Sequence, residues 1–266
     1  MPPPCPLNRR PWWPLLLLTV GRLAAAQAAR DPRVAQPERP TVATHAFTVP
    51  PGYLEVELGG EWDRYRSREQ GQQYPIFVKV GLSPTVQLGV LLPVLRPPGS
   101  ASGLGDATLF GKVHLTEAGT HPVLADFALV AGVKLASGSG SRSSGTTDAS
   151  ILLVSSRQLG AVGLDLNAGY VRRSGNGTSA PKNATVFTAA VAGALYQQAG
   201  WTVELYAYPR TQGPSGATTV AALLGGPTLR LNPATVFDVG RIVRLAGDQP
   251  SAWYVGLTRN LGSLRR

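Results

Sequence analysis

The chain has 266 residues, of which 31 are glycine and 15% are charged. This composition excludes both a disordered chain and a bundle of membrane-spanning helices, and it is typical of many strands joined by flexible loops. The net charge of +10 comes from dispersed basic residues rather than from a cluster on one element. We therefore predict no nucleic-acid partner.

Residues 1–28 have the pattern of a secretory signal peptide. Basic residues precede the apolar run 12–20, and the small residues of 23–28 provide a cleavage region. The alternative, a membrane anchor, is disfavoured because the apolar run is too short to span a bilayer as a helix. Cys5, the only cysteine, lies in this segment, so we predict no disulfide and no thiolate metal site in the mature chain.

Residues 29–51 follow the signal. The stretch 31–51 contains five prolines and shows no apolar periodicity. We interpret residues 29–51 as a periplasmic lead-in or a small plug.

Residues 105–115, GDATLFGKVHL, alternate between two chemistries. One face takes Ala107, Leu109, Gly111, Val113 and Leu115, and the other takes Asp106, Thr108, Phe110, Lys112 and His114. A period of two indicates a strand with one apolar and one polar face. The alternation recurs from Gly52 onwards and predicts twelve strands. It is least clean in residues 148–156, where Leu152 and Val154 fall on the polar side.

The connections between these strands alternate in length. The long ones, rich in Gly, Ser and Arg, are residues 66–74, 96–105, 137–147, 172–184, 209–218 and 244–251. The short ones are residues 83–84, 116–122, 158–161, 198–200 and 232–234. Long outer loops and short periplasmic turns are typical of outer-membrane barrels, and an open sheet edge is unfavourable in hydrocarbon. We therefore predict an all-β fold, in which residues 52–266 form a closed antiparallel transmembrane β-barrel of about twelve strands in the bacterial outer membrane.

Two alternatives to this fold remain. Residues 184–203 carry no charge and have the length of a spanning helix, although Gln197, Gln198 and Gly200 interrupt them. A secreted soluble barrel or sandwich would show the same alternation of residues. It would not require connections that alternate in length.

Five stretches carry a resemblance to a known family. They are TVPPGYLEVELG (48–59), GLGDATLFGKVHL (103–115), GVKLA (132–136), TDASILLVSSRQL (147–159) and FDVG (237–240). Together they resemble the phenol-degradation meta-pathway outer-membrane transporters over about residues 47–262. The resemblance implies a barrel linked to uptake of aromatic or other small apolar compounds. No substrate residues are defined by motif in that family, and the chain departs from outer-membrane barrels by ending on Leu264, Arg265 and Arg266 instead of an aromatic residue.

If the apolar positions face lipid, the charged positions of the strands face the lumen. These candidate lumen-lining residues are Glu55, Glu57, Glu61, Asp63, Lys79, Asp106, Lys112, Asp126, Lys134, Asp148, Asp165, Glu204, Arg230 and Asp238. Ten acids against four bases favour a pore that admits cations or neutral solutes over anions. The alternative is that these groups pair across a filled lumen and make the barrel rigid, since a barrel of this size is narrow.

The predicted loops carry the opposite charge. Their basic residues are Arg66, Arg68, Arg96, Arg142, Arg172, Arg173, Lys182, Arg210 and Arg244. Arginine binds phosphate in a bidentate manner, so outer-membrane lipid and lipopolysaccharide are predicted partners of this rim. The alternative is ordinary solvated charge.

No catalytic motif is present. The three histidines, His45, His114 and His121, share no metal-ligand spacing, and the Gly-rich stretch 138–145 lacks the phosphate-binding pattern. We predict a protein that is not an enzyme, needs no cofactor, and passively admits small solutes, with aromatic or apolar compounds as candidates. The competing classes are a structural or adhesive barrel with a closed lumen and a lipid-cutting enzyme that depends on His114.

Overall fold

The computed structural model describes residues 31–38, 42–117, 125–175, 181–210 and 218–264. The strands all belong to one compact unit, Pro32–Arg266. Residues 1–28 and His121 lie outside the described residues, so the signal peptide stays a prediction. Within the described residues, no helix has the length and apolarity needed to cross a bilayer.

The described residues contain thirteen strands in one antiparallel sheet. They are β1 (Tyr53–Arg64), β2 (Gln70–Ser83), β3 (Val86–Arg96), β4 (Gly103–Leu104), β5 (Thr108–Thr116), β6 (Asp126–Lys134), β7 (Asp148–Leu159), β8 (Val162–Arg173), β9 (Asn183–Tyr196), β10 (Ala199–Tyr208), β11 (Val220–Asn232), β12 (Thr235–Ala246) and β13 (Ser251–Ser263).

The sheet closes on itself because β1 pairs with both β2 and β13. The short strand β4 and the longer β5 both pair with β3, with Leu104 opposite Val94 and Thr108 opposite Leu91. These two strands therefore form one interrupted strand of the wall. The predicted closed barrel of twelve antiparallel strands is confirmed.

Side chains alternate across this wall as the sequence predicts. Leu109 and Leu153 are 51% and 48% exposed on the outside, whereas Lys112 and Glu204 are fully buried on the inside. A soluble sandwich would bury the apolar face instead. An apolar exterior on a closed barrel is solvated by lipid, and the fold places the protein in the bacterial outer membrane.

Residues 184–203 do not form a helix. They lie in β9 and in the first half of β10, which pair with each other along most of their length. The stretch is therefore long because it belongs to two consecutive strands of the wall, and not because it crosses the membrane once as a helix.

Three of the long connections are shorter than predicted. β1 and β2 are joined by residues 65–69, β8 and β9 by residues 174–182, and β12 and β13 by residues 247–250. The longest fully described connection is residues 135–147, which contains a 3-10 turn at Gly140–Arg142. The alternation in loop length is therefore less regular than the sequence suggests.

Residues 32–38 and 42–50, here called the inserted segment, lie against the inner face of the wall. At one end the Ala35 amide donates to the Pro233 carbonyl in the β11–β12 turn, at 2.9 Å. At the other end the Thr48 hydroxyl donates to the Pro84 carbonyl in the β2–β3 turn, also at 2.9 Å. Between these points the Ala43 amide donates to Glu204, halfway along β10, at 2.7 Å. The segment therefore enters and leaves at the turn end of the barrel and reaches its middle.

Candidate solute pathway in the lumen

A buried group of charges joins the inserted segment to the wall. Lys79 on β2 lies 2.8 Å from Glu55 and 2.5 Å from Glu57, both on β1, and 3.9 Å from Glu38 of the inserted segment. Lys112 on β5 forms an ion pair with the same Glu38. Burial alone raises the pKa of Glu38, but Lys112 and Lys79 outweigh it and lower the pKa to about 2. Glu38 is therefore a carboxylate that is held between two lysines.

Lys112 bonds several parts of the inserted segment at once. Besides Glu38, its ammonium donates to the Thr44 hydroxyl at 2.9 Å, the His45 carbonyl at 2.8 Å and the Phe47 carbonyl at 3.3 Å. An ammonium has only three hydrogens, so these acceptors share its donors. Lys112 is fully buried, and it bonds to three residues of the stretch 42–50, here called the return limb of the segment.

Neutral and acidic acceptors of the wall bind the backbone amides of the same segment. Glu204 accepts from Val42 at 2.9 Å and from Ala43 at 2.7 Å. Three further side chains each accept one amide: Asn167 from Thr44 at 2.7 Å, Ser156 from Ala46 at 2.8 Å and Gln87 from Val49 at 2.8 Å. Backbone donors in an apolar core would otherwise be left unsatisfied, so these residues allow an irregular chain to be buried.

Small apolar contacts complete the packing of the return limb. Ala46 is fully buried against Ala128 and Val154, which explains why Val154 stands on the polar side of β7.

The ring of His45, in the same part of the segment, is neutral at physiological pH. Burial, and then the neighbouring Lys112, lower the pKa of His45 to about 3.

An apolar cavity of about 530 Å³ lies between the inserted segment and the loop end of the barrel. Phe77 and Phe110 lie on its wall with their ring centroids 4.7 Å apart. Other apolar lining residues are Leu91, Val130, Leu152 and Val186. The charges on its lining are Glu38 and Lys112, which pair with each other. A cavity of this size and chemistry fits a small apolar molecule.

On the loop side of the cavity, a chain of charges runs across three strands. Lys134 lies 3.5 Å from Asp106 and 3.0 Å from Asp148, and Arg173 lies 3.6 Å from Asp148. These contacts neutralise most of the predicted negative charge at this level of the lumen.

Asp106 also holds the 135–147 loop. Its carboxylate accepts from the Gly138 amide at 3.0 Å, the Ser143 hydroxyl at 2.7 Å and the Ser144 amide at 2.8 Å. Burial alone raises the pKa of Asp106, but these hydrogen bonds lower it well below its usual range. Asp106, which lies in the interruption between β4 and β5, therefore anchors the 135–147 loop.

Of the fourteen predicted lumen-lining residues, ten are buried, and Glu61, Lys134, Asp165 and Arg230 are half-buried. Several of them have contacts not described above. Gln73 donates to Glu61 at 3.5 Å and to Asp63 at 3.0 Å, and Asp126 lies 3.3 Å from His114. Asp165 accepts a hydrogen bond from Ser156, and Arg230 donates to the Pro233 carbonyl at 3.0 Å. Asp238 is 1% exposed and lies over Gly256. Their role in permeation stays a prediction.

Sequence reasoning found Lys79, Lys112 and Glu204 but missed other residues that bind the inserted segment or line the cavity. The contacts of Glu38, Gln87, Ser156 and Asn167 have no local signal, because their partners are distant in sequence. Leu152 carries such a signal, since it breaks the polar alternation of its strand.

The predicted basic rim divides into two groups. Arg142, Arg172, Arg173 and Arg244 donate to oxygens of neighbouring loops or strand ends, Arg142 to the Ala101 carbonyl in the connection after β3. Arg66, Arg68, Arg96, Lys182 and Arg210 are exposed near the loop end. Arg173 differs most from its prediction, because it lies on the inward face of β8 next to Asp148 instead of in a loop.

No family model and no curated protein matches the chain. It is similar to an outer-membrane channel from Pseudomonas putida F1, with 12% identity, a TM-score of 0.64, and coverage of 81% of this chain and 98% of that one. NanC porin follows at 9% identity and a TM-score of 0.57, over 78% of this chain and all of that one. KdgM porin in complex with disordered oligogalacturonate has 7% identity and a TM-score of 0.56, over 77% and 98%. At these identities the likeness shows the fold, which is that of a closed outer-membrane barrel.

Proposed function

We propose that the chain is a passive outer-membrane channel for small apolar solutes, aromatic ones among them. The apolar cavity on the loop side of the inserted segment carries this proposal. A barrel that only needed rigidity would fill this space with side chains, as small barrels do. Here the lumen-facing positions Phe77, Phe110, Leu152 and Val186 leave a cavity between them.

The inserted segment is then a plug at the periplasmic end. It fills the turn-end half of the lumen, where Lys112 and Glu204 of the wall bind it. A solute in the cavity therefore passes inward only when the segment moves aside. Many of the lumen charges pair with each other, with this segment or with neighbouring polar groups of the wall. We therefore expect the cavity wall, rather than a net lumen charge, to set the preference among solutes.

The resemblance to the phenol-degradation transporters and the names of the neighbouring porins support a channel. They do not define the solute. The chemistry of the cavity favours a neutral, compact ring over the acidic sugar chain that accompanies KdgM porin.

Uptake of N-phenyl-1-naphthylamine by intact Gram-negative cells tests the proposal, because an intact outer leaflet excludes this apolar fluorophore. We expect cells that express the chain to take it up faster than cells with an empty vector. Val130→Trp/Leu152→Trp fills the cavity from two cross-strand neighbours and should return uptake to the empty-vector rate.

Leu129→Trp/Leu153→Trp is the matched control, since these residues pair across the same two strands on the lipid face. It should leave uptake unchanged. Equal uptake by both variants, or no uptake by the original chain, would refute the proposal.

The second candidate is a structural barrel with a closed lumen. The buried ion pairs of Glu38 favour it, because they hold the inserted segment strongly. Planar-bilayer recording separates the two, since a closed barrel gives no discrete conductance steps under any condition that leaves it folded.

A further inference from the structure

The arginines at the loop end differ in what they bind. Arg142, Arg172 and Arg244 each donate to an oxygen elsewhere in the chain, namely the Ala101 carbonyl, the Asn183 side chain and the Gln249 carbonyl, at 2.7 to 3.0 Å. Within the described part of the chain, the guanidinium groups of Arg64 and Arg96 have neither a hydrogen bond nor an ion-pair partner, and both side chains are exposed. The free guanidinium groups are therefore available to a ligand outside the chain.

These free arginines lie together at the loop ends of β1, β2 and β3. Arg64 is the last residue of β1, and Arg66 and Arg68 lie in the short 65–69 connection that follows it. Arg96 ends β3, two strands away, which places it about 10 Å from β1 across the sheet. The acid of this hairpin, Glu69, accepts a hydrogen bond from Ser67 at 2.9 Å, and Glu61 and Asp63 face the lumen. The outer surface here is therefore strongly basic.

The arginines stand above an aromatic surface that faces lipid. Trp62 pairs with Trp253 across β1 and β13, and its ring meets Tyr74 edge-on with centroids 6.3 Å apart. The guanidinium of Arg241 lies 5.2 Å from the Trp253 ring centroid. Exposed Trp and Tyr side chains mark the level of lipid headgroups on a barrel wall.

The short connections next to β1 leave these arginines uncovered at the loop end of the barrel. The connections 135–147, 174–182 and 209–219 are long, whereas β1 and β2 are joined by 65–69 and β12 and β13 by 247–250. The outer leaflet, which the long loops face, carries the phosphorylated headgroups of lipopolysaccharide.

We propose that Arg64, Arg66, Arg68 and Arg96, above Trp62 and Tyr74, form a binding site for the phosphorylated disaccharide of lipopolysaccharide. Arginine suits this ligand because its planar fork donates two parallel hydrogen bonds to one phosphate. The aromatic side chains below contact the acyl chains where they join the headgroup. This site is on the outside of the wall and does not depend on what the lumen conducts.

Native mass spectrometry of the folded barrel released from detergent micelles tests the site. The probes are bisphosphorylated lipid A, the same lipid without its phosphates, and phosphatidylglycerol. The test variant is Arg64→Gln/Arg66→Gln/Arg68→Gln/Arg96→Gln. The matched control, Arg33→Gln/Arg157→Gln/Arg230→Gln/Arg259→Gln, removes the same charge from the turn end of the barrel.

We expect bisphosphorylated lipid A to bind the original chain and the control variant at least about tenfold more tightly than the dephosphorylated lipid or phosphatidylglycerol. The test variant should lose this difference while remaining folded by circular dichroism. Equal binding of the two lipid A forms, equal binding of phosphatidylglycerol, or the same loss in both variants would overturn the proposal.

Discussion

Replacing Lys112 with Met should release the inserted segment. The substitution keeps the length of the side chain but removes the ion pair to Glu38 and the bonds to Thr44 and to two carbonyls of the segment. Removing one partner of a buried ion pair typically costs about 3–5 kcal/mol, because the other charge stays buried. Lys79, 3.9 Å from Glu38, compensates in part, so we expect a value near 3 kcal/mol.

A change of that size raises the ratio of released to bound segment by roughly two powers of ten. Single-channel recording in planar bilayers measures it as a longer total open time at neutral pH. Hydrogen exchange gives a second reading, because the amides of Val42, Ala43 and Ala46 lose protection when the segment leaves Glu204 and Ser156.

Lys134→Met is the matched control. Lys134 also lies on the inner face and pairs with Asp106 and Asp148, but neither acid belongs to the inserted segment. It should leave the open time unchanged. If the two variants behaved alike, or if Lys112→Met left both the open time and the exchange unaltered, the segment would not be held by this lysine.

Acid should release the same segment. In the bound segment the pKa of His45 is about 3 and that of Glu38 about 2, below their ordinary values of 6.5 and 4.5. Both groups therefore take up protons more readily once the segment is released. Binding should weaken by about 1.4 kcal/mol per pH unit from pH 6.5 downwards, more steeply below 4.5, and His45→Phe should remove the part above 4.5 in recordings across pH. Gly81→Ala should open the channel without removing a charge, because the added Cβ would lie 2.1 Å from the Val49 carbonyl oxygen; an unchanged open time would contradict this contact. Asp106→Ala should speed amide exchange in the 135–147 loop by roughly tenfold while the barrel stays folded, and unaltered exchange there would show that the loop is held by other contacts.

The wall of the barrel could be predicted from sequence because each position has one of two environments. In residues 105–115, lipid selects Leu109 and Val113 and the lumen selects Lys112, so a period of two is enough to assign the faces. Closure also follows, since an unpaired edge is unfavourable in lipid.

The prediction failed where the lipid environment ends. Residues 70–74 were expected in a loop because they are polar, yet they pair with β1 and β3. At the headgroup level Gln72 and Tyr74 are favourable on the outer face, so a strand there no longer shows an apolar face.

The site could be predicted only in part. The inward direction of Lys79 and Lys112 follows from the alternation, but their partner Glu38 does not, since residues 29–51 have no periodicity from which a path could be read. The irregular positions were the useful signal: Leu152 lines the cavity and Val154 packs under Ala46. Both had looked like imperfections of a strand.

The most direct test of a channel gated by the inserted segment is to tether that segment to the wall. The Ala46 amide nitrogen lies 2.8 Å from the Ser156 hydroxyl oxygen, so these two residues are in direct contact and are the pair to replace with cysteines. Planar-bilayer recording of Ala46→Cys/Ser156→Cys should show no conductance steps when oxidised and should regain them after a reductant is added. The same conductance in both states would contradict the account.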